Sequence, residues 1–185
     1  MPLVHVSGQA FTPPYGGLNN TWDERWRLPH VVLAAFLAGR KRGERFAAGM
    51  FSVAEMLASV SLIRANLRVA QNRFVQSPAY AGATRSQKSF ISYTIGQTFA
   101  HLFMTRHLGV RYTMDVDRYA AELGIGGLPG SKSIPDLIGF GQGWVVAEAK
   151  GRTWWLETRT MQHAIQQKRA ISTVGGIAPS LCLLL

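Results

Sequence analysis

Two short apolar runs folded about a glycine turn constrain this chain more than any other feature. Ile134-Pro135-Asp136-Leu137-Ile138-Gly139-Phe140 is followed by Gly141-Gln142-Gly143 and then by Trp144-Val145-Val146-Ala147-Glu148-Ala149-Lys150. Apolar, β-prone runs on either side of a glycine-bounded turn predict a hairpin, and its strands are apolar enough to be largely buried. Position 142 is the midpoint of 136 and 148, so a regular hairpin sets Asp136 directly opposite Glu148, with Cβ atoms about 5 Å apart. Lys150 is two residues beyond Glu148 and shares its face by strand alternation.

Charged side chains seldom sit deep in such a run unless they are paired or ligate a metal. Two carboxylates facing one spot suit a hard divalent cation, and a lysine beside them suits positioning of a nucleophile or offsetting a developing anion. The alternative is a solvated acid–base pair on a sheet surface.

Pro135-Asp136 and Glu148-Ala149-Lys150 resemble the two half-motifs of the PD-(D/E)xK nuclease superfamily, over about residues 90–185. The resemblance implies an α/β (α+β) fold with a restriction-endonuclease-like αβββαβ core, a mixed central sheet flanked by helices, and Mg²⁺-dependent phosphodiester hydrolysis, with Mn²⁺ as a substitute. It further implies that Asp136 and Glu148 hold the metal with the Ala149 carbonyl as a third ligand, and that Lys150 orients the attacking water. Many members carry a Glu on the first core helix. Here the matching residue is Gln97, which adds no charge; its alternative is an ordinary helix-surface amide. Some branches place Gln-x-x-x-Tyr on a later helix, which Gln162 and Gln166 match in part; the alternative is a solvated polar face.

The flanking segments predict the rest of that core. Ile95, Phe99, Leu102 and Phe103 recur at helical spacing and predict a helix over 94–107 that stops at Gly109. Val110–Val116 predicts the first strand, and the glycine-rich residues 118–133 predict a loop or insertion. A helix is expected over about 158–172. Arg152, Lys168 and Arg169 are candidate phosphate contacts, although helix-terminal cations also suit the helix dipole. Ile177 to Leu185 predicts a buried parallel strand; its three closing leucines leave open whether the strand completes the fold or the chain is part of something longer.

Residues 1–89 form an expected N-terminal extension. Residues 1–29 are loop-rich, with Trp22 and Trp26 spaced to anchor a short helix and either stack on bases or pack into a core. Arg40-Lys41-Arg42, flanked by glycines, predicts an exposed, phosphate-facing cluster. Met56, Val60, Ile63, Leu67, Ala70 and Phe74 form a heptad-like seam, predicting one long helix over about 53–74 that packs on another helix, in this chain, a second copy or a partner protein. Residues 75–90 are expected to be a linker.

Charge supports a polyanionic partner. The net charge is +10 at pH 7, and the seven cations between Glu55 and Asp115 meet no acid in that interval. Arg64 and Arg68 on the long helix, with Arg40, are candidate contacts to nucleic acid, DNA by preference. The alternative is a solvated basic surface, or one that meets an acidic protein or anionic membrane. Apolar residues make up 47% of the 185, a globular composition. One cysteine excludes an internal disulfide, and the apolar stretch Val31 to Ala38 is too short to span a bilayer, so a cytoplasmic protein without a membrane partner is expected. The five histidines lack metal-ligand spacing, no G-x-S-x-G elbow occurs, and Cys182 lies in an apolar run that disfavours a thiolate. The sequence therefore points to a metal-dependent nuclease. Its rivals are a catalytically weak or inactive nucleic-acid-binding subunit and an assembly protein of a larger complex.

Overall fold

A computed structural model of the chain describes residues 1–9, 11, 13–41, 43–127, 134–149 and 170–184. The described elements are strand β1 (Leu3–Ser7), β2 (Thr21–Arg25), helix α1 (Leu28–Leu37), α2 (Met50–Asn66), β3 (Leu67–Ala70), β4 (Arg73–Gln76), α3 (Pro78–Gly82), α4 (Arg85–His107), β5 (Thr113–Asp115), α5 (Val116–Tyr119), β6 (Ile125–Gly126), β7 (Leu137–Phe140), β8 (Trp144–Glu148), β9 (Thr173–Val174) and β10 (Leu181–Leu184). The architecture is mixed α/β: two four-stranded mixed sheets, ordered β2-β1-β4-β3 and β10-β8-β7-β5, with a β6-β9 ribbon beside them.

The N-terminal region departs from the sequence expectation in three places. Residues 1–29 hold the antiparallel pair β1–β2, and Trp22 lies on a strand of that pair rather than on a short helix. Trp26 is buried in a core shared with Val31, Ile63, Leu67 and Leu102. The helix expected over 53–74 ends at Asn66, and the chain then turns back as the hairpin β3–β4. Gln71 and Asn72 have positive φ of 49° and 59°, which suits the two-residue hairpin turn whose backbone twist matches its strands. Arg68 therefore sits on β3, not on a helix with Arg64. The expected linker 75–90 instead holds the end of β4, α3 and the first turns of α4.

Helix α4 starts nine residues before the expected Thr94, at Arg85. Thr84 and Gln87 form a capping box there, the Thr84 hydroxyl oxygen accepting from the Gln87 N–H at 3.4 Å and the Gln87 carbonyl from the Thr84 N–H at 2.9 Å. The helix ends where expected: Gly109 takes φ +65°, and the Leu108 and Val110 N–H groups both return to the Met104 carbonyl. Ala100, Phe103 and Met104 pack on one face of the second sheet, against Leu137, Val145, Ala147 and Leu183; Met114, Ile138, Val146 and Val174 build the core on the other face. Strands β7 and β8 are thus covered on both sides.

In the second sheet β5–β7 and β7–β8 are antiparallel and β8–β10 parallel, as expected of the C-terminal strand, which is shorter than the 177–185 span. The first strand likewise shortens to Thr113–Asp115. Gly139 is required where β7 passes close to the preceding chain: a Cβ there would meet the Val110 side chain and approach the Tyr112 carbonyl to 2.9 Å. Within 118–133, Ile125–Gly126 forms a short strand and Arg118–Tyr119 belong to α5. Residues 171 and 172, expected as the end of a helix, are not helical.

A buried polar chain fixes α4 against β5. The Gly39 N–H donates to Thr113 Oγ1 at 3.3 Å, and Thr113 Oγ1 lies 2.9 Å from His101 Nδ1. With Nδ1 as acceptor, the Thr113 hydroxyl accepts from Gly39 and donates to His101. Burial, and then the nearby Arg45 guanidinium, push the imidazole down to about 4 from an ordinary 6.5. The unfolded chain therefore takes up the extra proton first, so the stabilisation is complete above pH 6.5 and is lost as pH falls toward 4. Urea unfolding should show stability dropping by on the order of 3 kcal/mol more over that window in the wild type than in His101→Gln.

Candidate active site

The β7–β8 ladder pairs Leu137 with Ala147, Ile138 with Val146, Gly139 with Val145 and Phe140 with Trp144. One step further along the same register stand Asp136 and Glu148, the pairing counted from the sequence. Alternation puts Glu148 on the sheet face of Val146, while Asp136 lies in a bend just before β7. Asp136 is held there by two contacts: its carboxylate Oδ2 accepts from the Ala149 N–H at 2.7 Å, and its carbonyl accepts from the Val116 N–H at 3.2 Å. The first fastens the Asp136 side chain to the end of β8, immediately beside Glu148. Glu148 is 2% exposed and pairs in register with Leu184 of β10, so its strand is bound on both edges.

Helix α4 adds two groups. The half-buried Gln97 donates from Nε2 to the Tyr93 hydroxyl oxygen at 2.6 Å. Partial burial first, then the negative charges of Asp136, Asp115, Glu148 and Asp117, push the Tyr93 phenol up to about 12. Sequence reasoning named Gln97 and missed Tyr93, although one helical turn separates them on the same face.

The donor set is two carboxylates and, at the 5%-exposed Ala149, a backbone carbonyl. These are hard oxygen ligands, and Mg²⁺ is commonly held by only one or two carboxylates with water completing its shell; the residues fit such an ion. Among the described residues, no group of three or more His, Cys, Asp or Glu side chains is placed to hold a metal. Lys150, Arg152, Gln162, Lys168 and Arg169 lie outside the described residues.

The other candidate cations have separate places. Arg40 is half-buried and makes a bidentate pair with the partly exposed Glu55, at 2.5 and 2.7 Å. Lys41 pairs with Glu122 and lies over the Tyr119 ring. Arg64 and Arg68 are exposed, Arg68 donating to the Gln76 carbonyl at 3.4 Å. Arg106, one of the seven cations in the acid-free interval, pairs with the buried Glu24, whose other oxygen meets His107 at 2.8 Å. Among the described residues no helix is long and apolar enough to cross a membrane.

The Asp136–Ala149 bond separates two substitutions. Asp136→Asn keeps a side-chain oxygen for the Ala149 N–H, whereas Asp136→Ala orphans that donor; urea unfolding should find the alanine variant about 1–2 kcal/mol less stable than the asparagine variant. No family model, curated protein or solved structure matches the chain.

Proposed function

We propose that this protein is a metal-dependent nuclease that hydrolyses phosphodiester bonds of DNA, built on a restriction-endonuclease-like core. The observation that carries the reading is the 2.7 Å bond from the Ala149 N–H to Asp136, which brings one carboxylate against the end of the strand that bears the other. The second sheet supports it: after α4, β5, β7 and β8 pair antiparallel in turn, with α5 and β6 inserted between the first two, and β10 lies parallel to β8.

Asp136, Glu148 and the Ala149 carbonyl would hold Mg²⁺ or Mn²⁺. When bound, such an ion polarises a phosphoryl oxygen and lowers the pKa of coordinated water. The protein's part is positioning. A phenol near 12 stays protonated at neutral pH, so Tyr93 on α4 is a hydrogen-bond donor and not a base. Gln97 occupies one lone pair of that hydroxyl and fixes its direction. Lys150 would orient the attacking water and offset charge on the scissile phosphate. Exposed arginines such as Arg64 and Arg68 would hold the backbone without reading its sequence.

A second reading, an assembly role, has its own observation. Phe46, Met50, Phe51 and Leu57, on α2 and the segment before it, are 65, 80, 79 and 57% exposed, a cluster of apolar surface of the kind partners cover.

Cleavage of plasmid and single-stranded DNA in Mg²⁺ and in Mn²⁺ should be lost by at least about 100-fold in Asp136→Ala and in Lys150→Ala. Equal cutting by wild type and both variants contradicts the proposal. Binding without cleavage by the wild type in either metal indicates a non-catalytic nucleic-acid-binding subunit. A stable oligomer whose weak DNA affinity ignores Asp136→Ala indicates the assembly role.

A further inference from the structure

The N-terminal half of α4 carries a feature that the hydrolytic chemistry does not use. Arg85, Ser86, Ser89, Phe90 and Tyr93 line a shallow concavity of about 600 Å³. Helical spacing aligns Arg85, Ser89, Tyr93 and Gln97 in one stripe, roughly 18 Å from end to end. The stripe finishes at the hydrogen-bonded Tyr93–Gln97 pair. Phe90 is 61% exposed and Tyr93 43%, and neither ring has an aromatic or cationic partner among the described residues. Arg85 is exposed with no ion pair among the described residues, and α4 contains no acid.

Two neighbouring open rings with a cation before them match the needs of a strand whose bases are unpaired. Bases stack on aromatic side chains whatever their identity, and cations track the backbone. A duplex buries the same base faces in its own stack. Resting on the nuclease reading, we propose that this face of α4 is a binding subsite for single-stranded DNA: Phe90 and Tyr93 stack on bases adjoining the scissile phosphate, and Arg85 holds a backbone phosphate.

The test is fluorescence anisotropy of the full chain with a labelled single-stranded oligonucleotide and with the matching duplex, in EDTA so that nothing is cut. Phe90→Ala should weaken single-strand binding about 5- to 100-fold, while Phe90→Trp retains or tightens it, with little change for the duplex. Phe90 is exposed enough that its removal should leave the far-ultraviolet circular dichroism unchanged. No single-strand binding by the wild type, unchanged binding in Phe90→Ala, or equal losses for single strand and duplex overturns the subsite. A Mg²⁺ cleavage assay on the same proteins separates the two proposals. Phe90-dependent binding with no cleavage keeps the subsite and removes the nuclease reading. Asp136-dependent cleavage with Phe90-independent binding does the reverse.

Discussion

The register of one hairpin governs the candidate site. β7 and β8 are buried on both faces and β8 is paired on both edges, so a slip by a single residue would exchange Leu137, Val145 and Ala147 for their neighbours across two separate cores. Gly139 tightens this further, because only a residue without a side chain fits beside Val110 and Tyr112. The packing of apolar side chains thereby decides where two acids meet. Asp136 and Glu148 come together as a consequence of how Ile138 and Val146 are packed, and the Ala149 N–H then holds the Asp136 carboxylate in place.

The second fixed element is α4, which packs across the Leu137, Val145 and Ala147 face of that sheet. Its start is fixed by the Thr84–Gln87 box, its end by Gly109, and its lateral position by the His101–Thr113–Gly39 chain and by Met104 in the core. Glu24, buried and held by Arg106 and His107, ties the last turn of the helix to β2. These contacts fix the helix and so place Tyr93 and Gln97, while the first turns leave Arg85, Phe90 and Tyr93 open to solvent.

The hairpin was legible because its signals are local: glycine bend, alternation and residue count all refer to fifteen consecutive positions and agree. The end of α4 and the parallel C-terminal strand were legible for the same reason. The 53–74 helix failed because Ile63, Leu67, Ala70 and Phe74 satisfy a heptad and a hairpin alike, and the decisive feature was backbone freedom at Gln71-Asn72, which apolar spacing does not report. The first turns of α4 were hidden by their polar composition, although the Thr84-x-x-Gln87 signature stands in the sequence. Trp22 and Trp26 suggested a helix by spacing, yet strand pairing with β1 sets Trp22, and Trp26, just past β2, is set by burial against Val31, Ile63 and Leu102. The acid-free interval suggested a uniform basic field, but Arg106 finds its partner at Glu24, far outside the interval.

In a chain of net charge +10, the hairpin sets the Asp136 carboxylate against the end of the strand that carries Glu148, and the proposed function requires that point to take a divalent cation. Calorimetric titration of Mn²⁺ into the purified protein, without nucleic acid, tests it most directly. The account predicts saturable binding at one site, and a rise in thermal stability with Mn²⁺ equivalent to about 2.7 kcal/mol at 100 times the dissociation constant. Both effects should disappear in Asp136→Asn and in Glu148→Gln. Saturable binding that persists unchanged in both variants, or no binding by the wild type, would contradict it.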